Sequence, residues 1–262
     1  MLLGGLACCA LPAEAAADPR LPHAGTGWGL FAAVEQFEWR EFDAGTRLLE
    51  ESGPRIHLGA QTRMPLRADS PVTLDARGSL YFGSVDYDGQ ACNIFTGVCT
   101  PLTSDTNYFG VLLDAVLRWP VGAGQGFEVI AGGGLDAWTR EIEGTATAAG
   151  VTEDWTVLYL KAGIGYRPAR LAGFELEAGV KYPFYADDFN DFFGVSVSPR
   201  GRGSLFARLS QTFGSGERER WSAGVYYDSY RFAASDPEGA LMVFQPESEQ
   251  DVIGVQVAVS WR

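Results

Sequence analysis

His57, Ser79 and Tyr81 are the residues of this 262-residue chain whose types suit acid–base or covalent chemistry. An imidazole is a ready general base near neutral pH. Reflecting the sequence through the turn at 67–71 sets His57 beside Tyr81, with Ser79 two residues earlier on the same face. A hydrolase would need that serine within hydrogen-bond reach of the imidazole and an acid to orient the ring. The plainer reading is a histidine bonded within a polar interior. Asp187, Asp188 and Asp191 form a second cluster, set among Phe189, Phe192 and Phe193. Oxygen-rich clusters can hold a divalent cation, but this one lacks the spacing and glycine of a calcium loop. A solvated acidic loop is the simpler expectation. Cys92 and Cys99 stand between the loop residues Asp88-Gly89-Gln90 and Thr100-Pro101 and read as a disulfide stapling a loop. Gly132-Gly133-Gly134 lies inside a strand pattern, not between a strand and a helix. It is therefore no phosphate cradle, and the expected reason for it is close packing against Trp138 or Tyr159. No cofactor is expected.

The elements that must hold these groups are strands. The segment 251–262 places Ile253, Val255, Val257, Val259 and Trp261 on one face, with Gly254, Gln256, Ala258, Ser260 and Arg262 on the other. A period of two marks a strand with unlike faces. Nine earlier segments repeat it, at 28–35, 55–64, 72–82, 111–119, 127–138, 158–167, 174–184, 204–213 and 221–228. In each, one face is aliphatic with aromatics and the other small, polar or charged. Lipid-facing and lumen-facing residues alternate in this way in a transmembrane barrel, with aromatics at the interfaces. Short turns near 67–71, 121–126, 167–173 and 214–220 alternate with longer links near 43–53, 87–106, 141–154, 186–200 and 233–251. Beyond Glu35 both faces of the first strand become mixed. A strand continuing above the membrane, past a bulge, would read so.

Bulk composition agrees. Hydrophobic residues make up 46%, aromatics 13%, and glycines number 33. A mean hydropathy of −0.03 is compatible with strands that each wet one face. The formal charge of −13 argues against nucleic acid as a partner. Residues 1–17 read as a secretory leader with small residues at 13–17 for cleavage, though without the usual basic start. Neither Cys8 nor Cys9 has the flanking residues of a lipoprotein anchor. Residues 18–262 then form one domain. No segment has the length of apolar sequence that a transmembrane helix needs.

Over essentially the whole mature chain this pattern resembles the small bacterial outer-membrane β-barrel superfamily. Trp261 is similar to the terminal aromatic of that family's assembly signal, with Arg262 following it. The resemblance implies an all-β, antiparallel up-and-down transmembrane barrel of about ten strands, in the bacterial outer membrane, touching lipid and lipopolysaccharide. Divalent cations could bridge its acidic loops to lipopolysaccharide. An omptin-like protease would need an Asp–His pair, and no Asp-x-His spacing is present. A lipid A deacylase would need a His–Ser pair with an orienting acid, which His57 and Ser79 could meet in a favourable register. By strand direction His57 is expected near the outer end.

The inward faces carry Glu35, Arg55, Arg63, Asp75, Arg77, Asp114, Arg118, Glu128, Asp136, Lys161, Glu175, Glu177, Lys181, Arg208 and Asp228. Reflection through the short turns sets Arg63 opposite Asp75, Arg118 opposite Glu128 and Arg167 opposite Glu175. It also sets Lys161 opposite Lys181, which Asp136 or Glu177 would have to offset. Balanced charges in a bore of about ten strands most simply form a salt-bridged plug. Three roles follow: a structural, adhesive or ligand-binding barrel, a narrow porin-like channel, or a hydrolase centred on His57. Any spare room is expected along Gly254, Gln256, Ala258 and Ser260.

Overall fold

The alternation becomes twelve antiparallel strands in the computed structural model, which describes residues 27–92, 96, 98–122, 126–168, 170–213 and 219–261. The leader, Cys8, Cys9 and His23 lie outside these residues. The strands are β1 (Gly27–Asp43), β2 (Thr46–Pro65), β3 (Thr73–Cys92), β4 (Cys99–Val121), β5 (Phe127–Ile142), β6 (Val151–Tyr166), β7 (Phe174–Asn190), β8 (Val195–Val197), β9 (Arg200–Gly201), β10 (Ser204–Phe213), β11 (Glu219–Ala233) and β12 (Glu247–Trp261).

Ten of them close a ring. β12 pairs with β1 from Trp28↔Trp261 to Phe42↔Glu247, and β10 bridges β7 to β11. The short β8 and β9 add to β7 and β11 at the outer end. Closure removes every long edge, which a strand in lipid requires. Following paired neighbours from Val34 through β2 to β6 leads to Phe189 on β7. The opposite route through β12, β11 and β10 leads to Leu176. These positions differ by 13 (189 against 176), one of them taken up by a bulge on β7 opposite Leu158/Tyr159. A stagger of that size means strongly tilted strands, and so a wider interior than upright ones would enclose.

Outward side chains form an apolar belt that includes Val34, Leu58, Leu80, Leu113, Leu160, Val180 and Val255, all exposed. Trp28 and Trp261 stack at its inner rim with centroids 4.5 Å apart. A belt of this kind is built to face lipid.

The strands run well past the belt, and there the polarity of the wall inverts. On β1, Phe37, Trp39 and Glu41 point inward and are buried, while Glu38 and Arg40 point outward. On β1 the parity does not slip before Glu41; the medium outside changes from lipid to water, so the apolar residues move to the inner face. That is why both faces of the first strand read as mixed, and the bulge comes only at Glu41/Phe42. The links expected at 43–53, 87–106 and 186–200 are therefore mostly strand, and the one at 141–154 is strand at both its ends. β1 and β2 join through Ala44 and Gly45, both at positive φ, as a tight two-residue hairpin demands. β3 and β4 stay paired up to Cys92↔Cys99, which are disulfide-bonded at the hairpin tip.

Candidate functional site

The inverted half of the wall fills the lumen. Phe37, Trp39, Tyr108, Trp138, Trp155, Tyr230 and Phe232 pack with Val85, Val157 and Val252 into one buried cluster. The Trp138 and Trp155 rings stack at 5.3 Å, with Trp39 edge-on to both. Beside this block Arg140 is buried among carboxylates, donating to Glu51 at 2.7 Å, Glu153 at 2.5 Å and Glu41 at 3.2 Å. Thr106 and Tyr108 also donate to Glu51, and the Trp39 indole donates to Glu41 at 2.9 Å. Burial and the neighbouring Glu153 push the Asp188 carboxyl, above the belt, up to about 9. Burial also raises Glu41. The sequence reading missed this assembly, although Arg140 continues the inward parity of Asp136 and Trp138.

Below the block, one side of the lumen is an ion network. Arg63 donates to Asp75 at 2.5 Å and reaches across to Glu175 at 3.0 Å. Arg118 bonds Asp75 at 2.6 Å, lies 3.0 Å from Glu175 and 3.4 Å from Glu128, and also holds Glu177. Arg167 reaches Glu128 and Glu175, each at 3.2 Å. The reflection placing Arg118 opposite Glu128 is corrected: Arg118 pairs with Ile130 and Glu128 with Pro120, because the turn is centred one residue later. The long side chain still spans the offset. Lys161 does face Lys181, but their acids are Asp114, 3.4 Å from Lys161, and Asp228 beside Lys181. Asp136, which accepts from Tyr81, also acts on Lys181 through its charge, whereas Glu177 belongs to Arg118.

Three tyrosines share one device. Tyr81, Tyr159 and Tyr226 each sit directly opposite a glycine: Gly110, Gly134 and Gly254. Each ring lies so close over its glycine that a Cβ there would collide with it. Each hydroxyl then reaches a carboxylate one strand further on, with Tyr81 donating to Asp136 at 2.8 Å, Tyr159 to Asp114 at 2.9 Å and Tyr226 to Glu35 at 2.7 Å. The bare glycine lets the aromatic cross its neighbour. Tyr159 over Gly134 accounts for part of the triple-glycine run.

His57 lies at belt depth in the lumen, not near the outer end, because β2 extends outward as far as Thr46. It pairs with Tyr81 and stacks on its ring at 4.8 Å. Its Nδ1 is 3.2 Å from Ser79 Oγ and its Nε2 is 3.0 Å from Glu35 Oε1. That distance is short, yet the Nε2–H direction misses the carboxylate, leaving Nε2 without an aligned bond. Both Glu35 oxygens are already engaged, Oε1 by Arg55 at 2.6 and 2.8 Å and Oε2 by Tyr226.

The proposed metal ligands do not converge. Asp187 faces outward near Ser196, Asp188 faces inward and is buried, and Asp191 accepts the Thr152 amide at 2.9 Å. Among the described residues no cluster of three or more such ligands is arranged for a metal ion.

What is left of the lumen is a chamber of about 290 Å³. It reaches from Tyr81 and Val252, under the aromatic block, to Gly27, Trp28 and Trp261 at the inner strand ends. Arg77, Arg208, Tyr226, Gln256 and Ser260 also line its wall. The room expected along β12 is thus partly taken: Tyr226 covers Gly254, and Ala258 is buried.

The outer-membrane protease OmpT from Escherichia coli superposes with a TM-score of 0.52 at 9% identity, over 90% of this chain and 96% of that one. The fold is that of a bacterial outer-membrane β-barrel. The translocator domain of the autotransporter NalP from Neisseria meningitidis gives a TM-score of 0.47 at 16% identity, over 92% and 90% of the two chains. No protein-family model matches the sequence, and no curated protein matches it either. At these identities the likeness is one of fold, and a fold does not fix an activity. What this barrel does must be argued from its own lumen.

Proposed function

We propose that this chain is exported with residues 1–17 as a cleaved leader and serves in the bacterial outer membrane as a sealed, non-enzymatic barrel. On this reading the lumen is a ligand chamber approached from the periplasm, and the polar outer wall meets the exterior. Lipid and lipopolysaccharide surround it, with divalent cations bridging acidic outer positions such as Asp187 and Asp191. The observation that carries the reading is the aromatic block. Phe37, Trp39, Trp155 and Phe232 are at most 1% exposed, which supports a packed level that a hydrated solute does not cross. A porin-like channel needs a continuous path. Purified protein in a planar bilayer is expected to add no single-channel steps; stable steps would sink the sealed reading and favour the channel.

A second reading, an acyl hydrolase, draws on the Ser79–His57–Glu35 contacts. They present a nucleophile, a base and an acid in sequence, on the wall of the chamber. The misaligned Nε2 and the fully engaged Glu35 weigh against it. If it holds, the wild type hydrolyses short-chain chromogenic esters and Ser79→Ala falls to the uncatalysed rate. Equal rates for wild type, Ser79→Ala and His57→Ala would remove it.

A further inference from the structure

Among the chamber's cations, two guanidiniums have been left without their carboxylates. Arg77 sits directly across from Asp114, but Asp114 accepts from Tyr159 and faces Lys161. Arg208 sits directly across from Glu177, but Glu177 is held by Arg118. Arg77 instead donates to the neutral Gln256 at 2.5 Å and lies over the Phe31 ring at 4.5 Å. Arg208 has the Tyr226 ring at 5.9 Å, and no described carboxylate forms an ion pair with either residue. Gln256 and Tyr226 are common to both surroundings, lining the chamber together with the two arginines and also a small recess next to Arg208. The two guanidiniums thus share Gln256 and Tyr226 as neighbours on the chamber wall. A chain with a formal charge of −13 would have little reason to gather free positive charge there for solubility. Both guanidiniums are half-buried and keep access to the chamber, and a guanidinium fork matches the oxygens of carboxylate and phosphate.

We propose that the chamber binds a small organic anion, its carboxylate or phosphate group held between Arg77 and Arg208 and its remainder extending toward the inner strand ends. The inference rests on the sealed-chamber reading. Its size limit follows from the chamber volume, at the low end for a small-molecule pocket. The two positions divide the work. Arg77, already fixed by Gln256 and Phe31, orients the anion, and Arg208 is free to swing onto it. An alkyl tail would lie along Val116 and Ile130, which also line the chamber.

The test is calorimetric titration of the full-length protein in a non-ionic detergent, with inorganic phosphate and butyl phosphate as probes. Saturable binding of at least one probe is expected, weakened roughly tenfold or more in Arg208→Gln and in Arg77→Gln. Arg202→Gln removes an exposed guanidinium paired with Glu247 outside the chamber and is expected to bind as wild type does. Preference for butyl phosphate assigns the site to lipid-like anions, and equal affinity assigns it to free ones. Absence of saturable binding by wild type into the millimolar range overturns the proposal. So does unchanged affinity in the double variant, or an equal loss in Arg202→Gln. Should Arg77→Gln fail to fold, Arg208→Gln and the wild-type titration still decide. Conductance steps with intact anion binding would overturn the sealed reading alone.

Discussion

Arg140 and Asp188 show what a buried acidic cluster costs above the membrane. One guanidinium faces Glu41, Glu51 and Glu153, and Asp188 adds a fourth carboxyl that is 2% exposed, its Oδ1 without a partner. One positive charge cannot offset four negative ones, so burial keeps a proton on Asp188, whose value stands at about 9 against an ordinary 3.8. In the unfolded chain that proton leaves near the ordinary value. Between the two values the folded state binds more protons than the unfolded one, so stability falls as the pH rises. Asp188→Asn removes the titration. The variant is expected to gain roughly 1–3 kcal/mol over wild type near about pH 8 and roughly a third of that near about pH 5. Heat-denaturation midpoints in detergent at the two pH values check this; parallel shifts at both would refute it. At this scale the sequence was only partly legible. Fifteen inward charges follow from parity alone, but which acid serves which base depends on tilt. Asp114 and Asp228 therefore pair with the two lysines that reflection sets face to face, and Asp136 acts on Lys181 from further off.

Between strands, the tyrosine-over-glycine pairing ties three neighbours together at each of three places. Tyr226 on β11 crosses Gly254 on β12 to bond Glu35 on β1, and so spans the seam where the chain's two ends close the ring. Gly254→Val would drive the ring off its place and break that bond. Overpacking costs about 1–3 kcal/mol, to which the lost hydrogen bond adds about 1 kcal/mol. Tyr226→Phe is expected to cost only the smaller amount. Denaturant unfolding of the two variants gives the comparison, and equal losses would refute the crossing role. The glycine run on β5 hinted at the device, since a strand interior without side chains calls for something to lie over it. Gly254 carried no such hint, because a lone small residue facing a lumen reads equally well as empty space. The neighbour that fills it lies 28 positions earlier (254 against 226), on another strand.

Over the whole molecule, the fold was the most legible feature, because lipid outside and water inside impose opposite demands on alternate residues of every strand. The height of the wall was the least legible. Once Gln36 is passed on β1, the outside is water and the inside a packed core, so the charged-inward alternation that marks the lower strand is gone. The same inversion hid the aromatic block, although every member of it keeps the parity of the strand beneath. Ser79 and Glu35 met His57 for a related reason. They lie on its two flanking strands, so only a full set of registers brings the three together.

The inverted wall also fixes how deep the molecule sits. Directly above the belt, Arg40 lies against Glu38, Glu249 and Asp251, and Arg231 bonds Asp251 at 2.7 Å, all on the outward face. Ile253, the next outward residue below Asp251 on β12, is 65% exposed. Sinking the barrel by one such step would carry this cluster of charges toward hydrocarbon, at a penalty that climbs with depth to about 2–4 kcal/mol for each basic residue at the midplane. Raising it by one step would lift isoleucine into water. The barrel therefore floats to a marked waterline, and neighbouring lipids must adapt their thickness to it, not the reverse.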